Sequence, residues 1–154
     1  MSDPITINTT PSHVAVSFSR PRPTLSSAIL NGGLVEADHV LNMAVRENYE
    51  GKRDGFGPPE ETLADYAESL GLKGTVVGMM TSASLDRAAE AVREDQGVWV
   101  KAVVSAGVSN AGRAGDPPGC REVSGAFHPL GTINIILLTN ATLTVESMVS
   151  AITL

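Results

Sequence analysis

The chain has 154 residues, 42% hydrophobic and 18% charged, with a net charge of −6. That length and composition suit one globular domain with a real core. The acidic balance excludes the basic footprint that nucleic-acid binding needs, and one Trp, two Tyr and three Phe are too few for base-stacking platforms. A single cysteine, Cys120, allows no disulfide within the chain and suits a reducing cytoplasm. The amino terminus lacks a basic, apolar signal-peptide pattern, and no apolar run is long enough to span a membrane.

Val14, Val16 and Phe18 alternate with Ala15 and Ser17, which predicts a strand broken by Arg20-Pro-Arg-Pro23. A second strand is predicted over Thr24 to Leu30, closed by the turn signal Asn31-Gly32-Gly33. Leu34 to Tyr49 fits neither strand nor helix period. Arg46 to Pro58 is polar and reads as an exposed loop. Pro59 suits the first position of a helix whose buried face is Leu63, Tyr66, Ala67 and Leu70, with Gly71 as its cap.

Gly74 to Met80 predicts a strand running into Thr81-Ser-Ala-Ser. Leu85, Ala88, Ala89 and Val92 have helical spacing, which predicts a second helix ended by Gly97. Strands follow over Val98 to Ser105 and Thr132 to Thr139, the latter holding Ile135 to Leu138 as a buried run. Thr144 caps a last helix from Val145. The expected fold is a layered α+β or α/β domain, with helices covering a mixed β-sheet. Residues 1–154 read as a single domain: an amino-terminal strand and linker over 1–23, then the region 24–154. The chain ends on the apolar stretch Ala151-Ile-Thr-Leu154, so the domain is expected to be incomplete at its carboxyl terminus. An αββα sandwich completed by a second chain is one form it could take.

His13, His39 and His128 are isolated, with no metal-ligand spacing, so no metal site is expected and each reads as structural or surface. There is no P-loop and no G-x-S-x-G elbow. Cys120 lies in a loop and reads as incidental. Asn31-Gly32-Gly33 reads equally as a turn or as backbone that lets a ligand come close. Thr81 reads as a helix N-cap, next to backbone N–H groups able to hold an oxyanion.

The segment from Val108 through Gly131 carries five glycines and three prolines. A segment so composed is too long for a simple connector, and it carries Asn110, Arg113 and Asp116. Asn134 sits inside the apolar run Thr-Ile-Asn-Ile-Ile, where an unpaired amide costs about 1–3 kcal/mol. It must satisfy a buried backbone group or face a ligand, and the sequence leaves both open.

Several blocks occur in order: Leu25-Ser-Ser-Ala-Ile-Leu-Asn-Gly-Gly33, Asn42, Val77-Gly-Met-Met-Thr-Ser-Ala83, Ser105-Ala-Gly-Val-Ser-Asn-Ala-Gly-Arg-Ala-Gly115 and Gly131-Thr-Ile-Asn-Ile-Ile-Leu-Leu138. Together they resemble the adenosylcobinamide amidohydrolase family of corrinoid salvage. The resemblance implies hydrolysis of the amide that joins an aminopropanol arm to the corrin ring, giving adenosylcobyric acid and 1-aminopropan-2-ol. It implies no cofactor, cobalt entering only as part of the corrinoid substrate.

Under that resemblance Asn110, Asn134 and Thr81 are the expected catalytic positions, with Asn110 or Asn134 and the backbone near Thr81 as oxyanion donors. Asn31, Gly32, Gly33, Asn42, Ser105, Arg113, Asp116 and Thr132 are the expected substrate contacts. Family chains normally continue with a Thr-Glu-Ala-Lys block directly after the stretch matching Ser150 to Leu154. The expectation is therefore an amino-terminal product of self-processing, with a partner fragment beginning in threonine that carries the nucleophile. A cytoplasmic homo-oligomer is also expected. Competing readings are a corrinoid-binding module without catalysis and an autoprocessed hydrolase of another amide.

Overall fold

The computed structural model describes residues 4–45, 57–107, 122–123, 126–127 and 132–153. Its elements are β1 (Ile5–Thr9), β2 (His13–Ser26), β3 (Gly33–Ala44), α1 (Pro59–Ser69), β4 (Val76–Thr81), β5 (Ala89–Asp95), β6 (Val98–Ala106), β7 (Glu122–Val123), β8 (Ala126–Phe127), β9 (Ile133–Thr139) and α2 (Val145–Thr153). One sheet has the order β1-β2-β3-β4, a second β5-β6-β9, and β7 pairs with β8 alone. The fold is α+β, as expected.

In the first sheet β1, β2 and β3 are antiparallel neighbours, and β4 runs parallel to β3. A parallel pair needs a crossover, and α1 lies within it. Leu63 and Ala67 of α1 pack on Ala15, Leu41, Met43 and Val76. The opposite face of this sheet, with Val14, Val16, Ala37, Val40 and Val77, packs on Val103, Ile136 and Leu138 of the second sheet. Leu85 closes that core. The described layers are thus helix, sheet and sheet.

These packings explain where the sequence patterns misled. β3 is buried on both faces, through Val40 on one and Leu41 on the other, so it shows no two-residue period. β2 does not stop at Arg20-Pro-Arg-Pro23. Its ladder with β3 is irregular between Ser17 and Arg22, which accommodates Pro21, and pairing resumes through to Ser26. Asn31 and Gly33 then take positive φ, 52° and 91°, in the connection to β3.

The predicted second helix is replaced by a 3₁₀ turn, Leu85–Arg87, and strand β5. Gln96 and Gly97 both have positive φ, 49° and 81°, and join β5 to β6 as a two-residue hairpin turn. Such a turn matches strand twist, and Gly97 serves it rather than a helix end. The run Ile135 to Leu138 is only half-buried. Ile136 and Leu138 face the core, while Ile135 is 55% exposed.

Both helices obey their predicted signals. α1 starts at Pro59 with Glu60 and Glu61 in its first turn. It ends where the N–H groups of Gly71 and Leu72 donate to the carbonyls of Glu68 and Ala67. Thr144 caps α2, its hydroxyl accepting from the Ser147 N–H at 3.3 Å.

Candidate functional site

β6 and β9 are paired so that Ser105 lies opposite Asn134. Both side chains share the inward face with Val103 and Ile136. Asn42 of β3 points at them from the first sheet, on the face that carries Val40. The sandwich interior therefore turns from apolar to polar at one end, where β3, β4 and β6 finish and β9 begins.

The polar end is a line of short hydrogen bonds. Asn42 Nδ2 donates to Ser105 Oγ at 2.9 Å. Asn134 Nδ2 donates to Asn42 Oδ1 at 2.9 Å and to the Met80 carbonyl at 2.9 Å. Asn42 and Ser105 are each 2% exposed, and Asn134 is half-buried. Asn134 thus meets one of the two demands read from its sequence position, its NH₂ satisfying the backbone carbonyl of half-buried Met80.

Thr81 and Thr132 extend the cluster. Thr81 is buried, and its hydroxyl accepts from the Ala83 N–H at 3.0 Å. It makes a local turn, followed only by the 3₁₀ turn Leu85–Arg87, so Thr81 does not cap an α-helix. Thr132 Oγ1 lies 3.1 Å from Ser82 Oγ, and the Thr132 carbonyl accepts from the Gly107 N–H at 2.9 Å. Gly107 passes so close to the Thr81 turn that a Cβ on it would sit 3.2 Å from Ala83 Cβ. Carboxamides, hydroxyls and backbone make up this described cluster, with no ionisable side chain.

The structure brings together Asn42, Thr81, Ser105, Thr132 and Asn134. It does not bring Asn31, Gly32 and Gly33 to them. Asn31 Nδ2 donates to the Val76 carbonyl at 2.9 Å, at the opposite end of β4 from Thr81. Five strand residues put those ends about 16 Å apart. Gly32 is tight against the Ala28 carbonyl, so its lack of a side chain serves the turn. Asn110, Arg113 and Asp116 lie outside the described residues, as do Cys120 and His128.

Three features were missed in the sequence. Met80 contributes through its carbonyl, which no side-chain motif can signal. Ser82 joins through Thr132, and Gly107 through its close approach. The described histidines sit elsewhere. His13 Nδ1 is 3.0 Å from the Tyr66 hydroxyl on the α1 side of the sheet, and burial lowers its pKa. His39 lies between Ser17 Oγ at 2.9 Å and the Lys73 carbonyl at 3.0 Å. No metal-binding cluster of His, Cys, Asp or Glu occurs among the described residues. A shallow hollow of about 300 Å³ between α2 and the start of β3, lined by Pro23, Leu34, Val35 and Met148, is at the far end of β3 from Asn42.

Fold and site define a layered α+β protein whose polar end is neutral and rich in carboxamide. The chain belongs to the adenosylcobinamide amidohydrolase family, whose model matches residues 2–154. No curated protein and no solved structure gives a significant match to it. Membership places the chain in a hydrolase family acting on adenosylcobinamide in corrinoid salvage. No described helix is long and apolar enough to cross a membrane.

Proposed function

We propose that this chain provides the substrate-holding part of a cytoplasmic enzyme that hydrolyses the aminopropanol amide of adenosylcobinamide. The products are adenosylcobyric acid and 1-aminopropan-2-ol. The observation that carries this is family membership along residues 2–154, joined to a site made of neutral amides and hydroxyls. A corrinoid is large and fringed with carboxamides, which such groups can match by hydrogen bonding. The enzyme must select one amide among several alike, so placement governs the reaction. No cofactor is required, cobalt being part of the substrate.

Hydrolysis needs an attacking group and a base. Neither described imidazole serves the hydroxyls of the site, Thr81, Ser82, Ser105 and Thr132, since His13 and His39 are bonded elsewhere. This favours a nucleophile from a companion fragment whose first residue is threonine, its free α-amine acting as base. Asn110, Arg113 and Asp116 remain proposed contacts with substrate, and the assembly is proposed to be a homo-oligomer.

Incubation with adenosylcobinamide, followed by detection of free 1-aminopropan-2-ol, tests the reaction. Binding without release would leave a corrinoid-binding module instead. Intact-mass measurement of the full-length product tests the companion fragment. A single uncut and fully active species would remove it.

A further inference from the structure

The donor order along the Asn line follows from one atom. The Met80 carbonyl oxygen can only accept, so the Asn134 group 2.9 Å from it is the NH₂. The same nitrogen is 2.9 Å from Asn42, which must therefore turn its Oδ1 toward it. Asn42 then directs its own NH₂ at Ser105 Oγ. Flipping Asn134 would set oxygen against oxygen at Met80. Flipping Asn42 would set NH₂ against NH₂. Neither amide can reverse alone, so the assignment rests on the whole line and not on hydrogen positions.

One consequence concerns what the line offers outward. Both N–H groups of Asn134 are engaged by protein acceptors, and no described donor reaches its Oδ1. Asn42 and Ser105 are buried, whereas Asn134 is half-buried. The group left unengaged by described donors on this half-buried side chain is thus an acceptor oxygen, where the sequence suggested a donor.

We propose that Asn134 Oδ1 accepts the N–H of one carboxamide of the corrinoid and discriminates against a carboxylate at that position. Met80 and Asn42 are positioning residues that hold the oxygen outward. This rests on the corrinoid reading given above. A carboxylate has only lone pairs to present and would meet the oxygen like to like. An amide differs from it only by the N–H, which is the difference a fixed acceptor reads best.

The test is binding, separate from turnover. Adenosylcobinamide is compared with analogues in which one peripheral carboxamide at a time is a carboxylate or its methyl ester. Affinity is followed by equilibrium dialysis, using corrinoid absorbance. At one position the order is expected to be amide, then ester, then carboxylate, with the carboxylate at least about tenfold weaker than the amide. Asn134→Ala should abolish that spread. A flat panel, tighter carboxylate binding, or a spread unchanged in Asn134→Ala would overturn the proposal. Should Asn134→Ala fail to fold, the wild-type order decides alone. A protein that shows this order but releases no aminopropanol keeps the inference and loses the hydrolase reading. One that releases aminopropanol with a flat panel does the reverse.

Discussion

Asn42→Ala removes two hydrogen bonds from the polar end of the sandwich. Ser105 Oγ loses its partner in a fully buried setting, and Asn134 keeps only Met80. A lost neutral bond is worth about 0.5–1.5 kcal/mol, and a stranded buried group costs about 1–3 kcal/mol. The expected loss is about 2–4 kcal/mol, which in a chain of this size lowers Tm by roughly 5–15 °C. Ser105→Ala strands the Asn42 NH₂ and should cost about 1–3 kcal/mol by itself. The double variant strands neither group against the other, so it should cost less than the sum, with a coupling of about 1–2 kcal/mol. Urea unfolding followed by Trp99 fluorescence and circular dichroism gives all three values. Strict additivity, or an Asn42→Ala loss below about 0.5 kcal/mol, would show that the line is not a coupled unit.

Other expectations follow from the same structure. His13 has a folded pKa below its ordinary value of 6.5, because burial disfavours the imidazolium. The unfolded chain then binds the proton more readily, so the His13 contribution is complete above pH 6.5 and declines as pH falls toward the folded pKa. His13→Gln should flatten the stability profile in that window, and an unchanged profile would refute the assignment. Thr81→Val leaves the Ala83 N–H without its acceptor and should cost about 1–3 kcal/mol in denaturant titrations. Gly107→Val would drive side-chain atoms into Ala83, and at least tenfold slower aminopropanol release is expected, against no change if the approach is incidental. Ile133→Thr and Ile135→Thr alter residues 62% and 55% exposed, so each should shift stability by less than about 1 kcal/mol.

Local signals were legible wherever one residue or one face decided the outcome. Pro59 and Gly71 bounded α1, Thr144 opened α2, and Asn134 stood out as an amide within an apolar strand. The failures came from competition. The spacing of Leu85, Ala88, Ala89 and Val92 resembles a helix, but Gln96-Gly97 favours a hairpin, and pairing with β6 prevailed. β3 lost its signature because both its faces are covered. The site itself was half visible. Asn134, Asn42 and Ser105 could each be named, yet their partnership spans 92 residues in one bond and 63 in another. No local pattern carries such a distance, and the internal use of the Asn134 NH₂ was only one of two readings its position left open.

β9 is nearly interchangeable front to back. Ile133, Ile135 and Leu137 line one side, and Ile136 and Leu138 the other. Sliding it by one residue along β6 would swap these sets at little hydrophobic cost, so greasiness alone cannot dictate its alignment. Asn134 breaks the tie. In the slipped arrangement its amide would face away, leaving Met80 and Asn42 without it. One carboxamide thus helps to key the strand's alignment, together with the Thr139 hydroxyl and the Asn140 amide that bond the Trp99 backbone.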